Sequence, residues 1–398
     1  MSPRLTSRPI ALVGAGLAAS LVLAGCGGSS NDAAPPADDA PAAPAAGASA
    51  GTKAVAADGD VNYAGTLREP DATARPVAKD KKVVIISAGQ ASISSSVPVG
   101  AAEEAAKAAG WKTEVYDAQL NPANGATLVR QAIASGADGI ILQAIDCPGV
   151  KGPLQEAKAK GIQVVGIYSF DCNDPLFKGN DPALFSAAIN YGKDAQAGIG
   201  DFTKKYGADQ AKAVIAATDG KAKVIFFNSP TVTVLNYTGQ GFKDEIKKCS
   251  GCEIVAEVEF AGAELGPNLQ QKATSALLQN PDANVVKSPY TSATLLGIAP
   301  AVVQSGRAGK IYVMGGEGFG PELDLLRANQ GVDAVNIAPS DWTGWAAVDT
   351  MNSLFTKKPV ADSGLGWQLV DKKNNLPASG AFVPKVDFKA SYKKAWGV

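Results

Sequence analysis

The sequence predicts an α/β protein of two doubly wound lobes, and three observations carry that reading. Short β-branched runs alternate with amphipathic, Ala-rich helices of about ten residues, the pattern of parallel strands joined by right-handed crossovers. The alternation begins near residue 82 and restarts near 223, so one programme runs twice. At 398 residues the chain exceeds the ~250 to 300 that a single core holds, and each lobe has room for its own.

At the N-terminus, Arg4 and Arg8 precede an apolar run at 10–23, too short for a bilayer span of about 20 apolar residues but suited to an export signal. Leu23-Ala24-Gly25-Cys26 resembles the bacterial lipobox, whose cysteine receives a lipid. Residues 1–25 are therefore expected to be a lipoprotein signal peptide, with Cys26 anchoring the chain to the membrane outside the cytoplasm. From 27 to 60 the chain is mostly Ala, Pro, Gly, Ser and Asp and offers little to bury, so 26–80 read as the lipidated cysteine and a disordered tether. Tyr63 and Leu67 in it are able to pack on the body.

In the body, strands are expected at 83–86, 112–116, 139–142 and 163–167, with helices at 100–109, 127–134 and 150–160 between them. A helical stretch at 182–206 leads to the second lobe. There, strands at 223–227, 253–257, 284–287 and 310–314 alternate with helices at 239–248, 268–278 and 292–304. Ligands of such open sheets bind beyond the carboxyl ends of the strands, so two facing lobes define a cleft.

Setting Cys26 aside leaves Cys147, Cys172, Cys249 and Cys252, an even number in a chain expected to be exported, where disulfides persist. Three pairings are open. Cys147 and Cys172 each follow a strand, and if those strands are neighbours the pairing is Cys147–Cys172 with Cys249–Cys252. The second pair closes a helix instead of opening one, so it lacks the dipole that activates redox cysteines. No metal site is expected, since zinc would lack further ligands, and no cofactor.

Composition removes several function classes. With 37 Lys+Arg against 38 Asp+Glu there is no basic footprint for nucleic acid. The chain has 0 His, which excludes Ser-His-Asp and Cys-His catalysis and His-ligated zinc.

The run Ser87-Ala88-Gly89-Gln90, the helix from Gly100 to Gly110, Asp117-Ala118-Gln119 with Asn121-Pro122, Ser135-Gly136-Ala137-Asp138-Gly139, and Gly239-Gln240-Gly241-Phe242 together resemble type I periplasmic binding proteins. The ribose-binding branch is the most similar, over residues 82–398. The resemblance implies a solute receptor, not an enzyme, that holds a small molecule between hinged lobes and delivers it to an ABC transporter permease. A carbohydrate or a related polar molecule is the implied ligand, and a monomer the expected state. Three crossings between lobes are implied near Asn190, Pro339 and Gly366. The first lobe would then comprise 82–189 and 340–366, and the second 190–339 and 367–398.

The family's sugar binders carry an Asp-Arg pair after the fourth strand, where Tyr168-Ser169-Phe170-Asp171 stands here without one. In the second lobe Met314-Gly315-Gly316-Glu317-Gly318 supplies an acidic residue, Glu317, at the family's position. The strand-end loops also offer Gln90, Ser92, Gln143, Asp146, Tyr168 and Asp171 from the first lobe. From the second come Asn228, Asn236, Tyr237, Phe260, Tyr290 and Thr291, while Asn336 and Trp342 flank the second crossing. Aromatics with a few amides and carboxylates suit stacking on a sugar face or on an aromatic ring. Core packing accounts equally well for Tyr168, Phe260 and Trp342, and capping for Asp146 and Asp171. Residues 92–96 read most simply as a flexible polar loop. A binding subunit for a membrane sensor or chemoreceptor would share this fold, whereas an envelope enzyme pairing Glu317 with Asp146 or Asp171 has no catalytic motif behind it.

Overall fold

The computed structural model describes residues 61–195 and 198–398; the expected signal peptide, Cys26 and the expected tether up to residue 60 lie outside the described residues. The first lobe is built from β1 (Lys82–Ser87), α1 (Ile93–Ala108), β2 (Lys112–Asp117), α2 (Gly125–Ala134), β3 (Gly139–Gln143), α3 (Cys147–Ala159) and β4 (Gln163–Ile167). Its strands pair in the order β2-β1-β3-β4, all parallel. The central strands are buried along almost their whole length, which is why they read as unbroken apolar runs.

The second lobe contains α4 (Ile199–Ala217), β5 (Lys223–Asn228), α5 (Thr233–Ile246), β6 (Glu253–Glu259), α6 (Pro267–Gln279) and β7 (Val285–Lys287). Next come α7 (Thr291–Ala293), which runs through a π-helical turn at Thr294–Ile298 into α8 (Ala299–Gln304), then β8 (Tyr312–Met314), α9 (Gly320–Ala328) and β9 (Ala334–Ile337). Helix α10 (Ser340–Thr356) returns to the first lobe against α1, β10 (Gln368–Asp371) joins the second sheet, and α11 (Phe388–Trp396) ends the chain. The second sheet has the order β10-β9-β8-β7-β5-β6, with only β10 antiparallel.

Several elements depart from the sequence expectation. Helix α1 starts at Ile93, not at 100, because Pro98 is accommodated inside it while Ser95, Pro98 and Val99 are buried. The stretch 182–206 is not one helix: residues 182–192 carry none, and α4 begins only after Gly198, whose φ of 83° breaks the run. Helix α10 gives no amphipathic signal because Trp342 through Ser353 are all buried, leaving almost no polar face.

The chain passes between lobes beside Asn190, at Ala338–Pro339, and at 362–367, where Asn190 bridges Asp362. Two terminal segments join these passages. Residues 61–80, expected to belong to the tether, run antiparallel to the third passage: Thr66 N–H donates to Trp367 C=O and Arg68 N–H to Gly364 C=O, both at 2.9 Å. Tyr63 donates to Asp371 at 2.6 Å and Arg75 pairs with buried Asp349 at 2.7 Å, so the segment spans both lobes. The C-terminal helix, expected in the second lobe, packs on α10 of the first. Its face of Phe388, Tyr392 and Trp396 matches Trp342 and Trp345, with Trp345 and Trp396 stacked at 5.5 Å. Disulfides join Cys147 to Cys172 and Cys249 to Cys252. Among the described residues no helix is long and apolar enough to cross a membrane.

Candidate functional site

Both sheets direct their carboxyl ends at the space between the lobes, and the loops there line a cavity of about 150 Å³. From the first lobe Ser92, Ser94, Leu120, Gln143, Ala144 and Tyr168 line it. The second contributes Phe202, Tyr206, Ser229, Leu235, Tyr290 and Glu317.

Three of the left-handed residues lie at this cavity. Leu120, Ala144 and Tyr168, which follow β2, β3 and β4, have φ of 58°, 50° and 52°. Left-handed conformation in such side chains costs about 1 to 3 kcal/mol each and persists only where the surroundings over-determine it. Here Leu120 N–H donates to Ala88 C=O at 2.7 Å and Ala144 N–H to Ile167 C=O at 2.9 Å.

Glu317 sits in a Gly-Glu-Gly turn after β8. A Cβ on Gly316 would lie 2.2 Å from the Thr291 nitrogen, so only glycine lets this turn approach α7. The carboxylate thereby meets the start of that helix: Thr291 N–H donates to Oε2 at 2.5 Å, and Ser94, in the first turn of α1 on the opposite lobe, donates to the same oxygen at 3.2 Å. Oε1 has no hydrogen-bond partner among the described residues. Behind it Glu322 is fully buried and accepts from Gly316 N–H, Gly318 N–H and the Thr291 hydroxyl. Burial lifts the Glu317 carboxyl above the ordinary range, the Thr291 N–H opposes that, and the negative Glu322 adds to it. Lys287, at the end of β7, donates to the Ser288 carbonyl; burial pushes its ammonium down to about 7 against the pull of Glu322 and Glu317.

The aromatic walls are held firmly. Tyr168 shares its hydroxyl with Ser340 and Thr343 at 3.2 Å each, and Tyr206 donates to the Asn336 carbonyl at 2.5 Å. Gln143 accepts the Ala88 N–H at 3.2 Å through its carbonyl oxygen, which leaves its amide NH2 without a partner among the described residues.

Around the cavity the lobes touch. Ser92 bonds Ser292 at 2.9 Å, Thr233 donates to Asp146 at 2.6 Å, and Tyr237 donates to Asp174 at 2.8 Å while stacking on Phe170 at 5.0 Å.

Of the residues expected at the site, Ser92, Gln143, Tyr168, Tyr290 and Glu317 line the cavity. The rest serve its frame. Asp146 accepts the Phe170 N–H at 2.9 Å, and Asp171 the Cys172 and Leu184 N–H groups at 2.7 and 2.8 Å, because loop N–H groups beyond a sheet claim nearby carboxylates. Gln90 takes Asp117 through its backbone N–H, Asn228 and Asn236 bond each other, and Thr291 holds the two glutamates. Tyr237 belongs to the lobe–lobe contact; Asn336 supports Tyr206 from below; Phe260 and Trp342 are core. Residues 92–96 form the first turn of α1 and its approach, not a loose loop. Leu120, Phe202, Tyr206 and Leu235 also line the cavity and are not among the residues the sequence marks. Phe202 and Tyr206 lie four apart on one face of α4, a signal hidden by starting that helix too early.

Two parallel-sheet lobes, hinged by several chain passages and closed over an inter-lobe cavity, define the periplasmic-binding class of architecture. The family model described as periplasmic binding protein domain matches residues 83–359, and the chain belongs to that family. Among solved structures, the chain is similar to GanP, a glucose-galactose binding protein from Geobacillus stearothermophilus, with 22% identity, TM-score 0.61, and 74% of this chain and 99% of that one covered. An ABC transporter solute binding protein from Agrobacterium vitis bound with α-D-tagatopyranose gives 20%, TM-score 0.64, and 75% and 97% coverage. The 5-methylthioribose transporter solute binding protein from Thermotoga lettingae gives 18%, TM-score 0.61, and 82% and 100%. No curated protein matches the sequence.

Proposed function

We propose that this chain is an extracytoplasmic solute-binding lipoprotein that captures a small molecule between its lobes and delivers it to an ABC transporter permease. The observation that carries the reading is the cavity of about 150 Å³ at the carboxyl ends of both sheets, walled by both lobes, with contacts between the lobes beside it. Family membership supports the transport role, and the lipobox-like Leu23-Ala24-Gly25-Cys26 supports anchoring through Cys26. Three structural neighbours are named for sugars or a thio-sugar, so carbohydrate is the first ligand class to test.

The test is a thermal-shift screen of the oxidised protein against pentoses, hexoses, polyols, nucleosides, amino acids and small aromatic compounds. Ligand at 100 times its dissociation constant adds about 2.7 kcal/mol, and a shift confined to one class is expected. Glu317→Ala should weaken that ligand at least tenfold, about 1.4 kcal/mol. No shift in any class, with native mass spectrometry finding no bound molecule, would sink the receptor reading.

A further inference from the structure

The cavity's chemistry narrows the ligand further, on the premise that the protein is a solute receptor. Most of the wall is carbon: Leu120, Ala144, Phe202, Val232, Leu235 and Pro289 all face it. A bare sugar buries five or so hydroxyls, each costly to desolvate without a partner. Few polar groups here are free to serve them. Tyr168 and Tyr206 have committed their hydroxyls to the protein, as Gln143 has its carbonyl. Among the described residues, the groups left are the Gln143 amide NH2, the hydroxyls of Ser95, Ser229 and Tyr290, and Glu317 Oε1. The Ser229 hydroxyl is buried without a hydrogen-bond partner among the described residues.

Charge gives the second constraint. Among the described residues, Glu317 is the only ionisable acid or base in the wall apart from tyrosine, and no lysine or arginine lines the cavity. The nearby cation, Lys287, is buried behind the wall, its ammonium donating to the Ser288 carbonyl and lying 5.9 Å from the centre of the Phe242 ring. Its charge is thus held inside the lobe, where the fully buried Glu322 is also present. An anion entering the cavity would meet Glu317 with no cation to offset it. A cation would meet a carboxylate oxygen without a partner, set among the rings of Tyr168, Tyr206, Tyr290 and Phe202, whose faces attract positive charge.

We infer that the cavity takes a small ammonium-bearing molecule, with an apolar body about one ring in size and its charged head at Glu317 Oε1. The size follows from the volume, since an apolar cavity of ~150 Å³ holds a benzene-sized guest. Tyr290 and Ser229 offer hydroxyls for a second polar group on the same ligand.

Isothermal titration of the intact chain with four probes tests this: benzylamine, benzyl alcohol, benzoate and D-xylose. Benzylamine is expected to bind at least tenfold tighter than benzyl alcohol, with benzoate and D-xylose weaker still. Glu317→Gln should erase the preference for the amine over the alcohol while leaving circular dichroism and the melting curve close to wild type. The ranking on the unmodified protein decides the matter even if that variant fails to fold. Equal or tighter binding of benzyl alcohol, benzoate or D-xylose overturns the ammonium inference and leaves the receptor reading standing. Binding of none of the four overturns the inference, and the wider solute screen then decides whether the receptor reading falls with it.

Discussion

Replacing Arg75 with methionine should destabilise the protein by about 3 to 5 kcal/mol, although Arg75 lies in a stretch whose composition resembles a linker. Its side chain is 5% exposed and that of its partner Asp349 4%, with Nε and Oδ1 2.7 Å apart. The same carboxylate oxygen accepts the Trp396 indole N–H at 2.7 Å, Arg75 Nη1 donates to the Thr73 carbonyl, and Arg75 N–H donates to the Ala395 carbonyl. One ion pair therefore ties the N-terminal segment to α10 and α11. In Arg75→Met the methionine fills most of the space, but the Asp349 carboxyl loses its cation in a buried site and keeps the Trp396 indole N–H. Breaking one side of such a pair costs more than replacing both sides. The double variant Arg75→Met/Asp349→Asn should therefore recover at least half the loss, since the amide carbonyl still accepts from Trp396. Urea unfolding measures both: with a slope of ~3 kcal/mol/M, the single variant's midpoint falls by about 1 to 1.7 M. A single variant within 1 kcal/mol of wild type, or a double variant as unstable as the sum of the singles, would refute the argument that this segment is part of the folded body.

Three other outcomes are expected. Tyr237→Phe keeps the stack on Phe170 but deletes the bond to Asp174 across the lobes, so ligand dissociation should quicken about three- to tenfold in stopped flow, and an unchanged rate would remove Tyr237 from closure. Opening Cys147–Cys172, with a separation of 25, should cost about 3.5 kcal/mol by loop entropy, against about 1.6 for Cys249–Cys252, with a separation of 3; equal losses for the two Cys→Ser pairs would contradict this. Lys287 has a folded-state pKa near 7 against 10.5 for the free group, so the unfolded chain binds more protons between those values and stability should rise with pH there. At ~1.36 kcal/mol per pH unit the rise from pH 7 to about 9.5 is about 3 kcal/mol. Wild type and Lys287→Met curves that run parallel over that window would show that Lys287 does not titrate as its burial requires.

The strands of both lobes are legible because each is a β-branched run bounded by turns, and the parallel order follows from the helices between them. The disulfide partners are legible for the same reason, since β3 and β4 are neighbours and each is followed closely by its cysteine. What escapes a linear reading depends on partners far along the chain. Thr66 finds Trp367 and Arg75 finds Asp349, and nothing near residue 66 or 75 announces either. Helix α10 escapes for the opposite reason, being buried on every side. At the site, Glu317 is marked by its flanking glycines, whereas Asp146 and Asp171 look equally suited to a ligand until the N–H groups of Phe170, Cys172 and Leu184 are seen to occupy them.

Closure of the lobes has two separable components, and their balance decides how such a receptor works. At the rim, Thr233 to Asp146, Tyr237 to Asp174 and the Phe170–Tyr237 stack need no ligand. At the cavity, Ser94 reaches Glu317 across the lobes, so closure and ligand recognition share one carboxylate. Hydrogen bonds of the rim kind contribute about 0.5 to 1.5 kcal/mol each, and the stack about as much again. Their sum of a few kcal/mol is enough to bias the empty protein toward closure but is smaller than the binding energy of a micromolar ligand, about 8 kcal/mol. The Cys147–Cys172 bond lies beneath this rim and holds the loop carrying Phe170 and Asp174 against the start of α3, where Asp146 accepts the Phe170 N–H. Part of the ordering entropy of the rim is thereby met on folding and not on each closure. Strengthening the rim would stabilise the closed state with or without ligand, slowing entry as well as release. The contacts through Glu317, by contrast, make closure answer to what occupies the cavity.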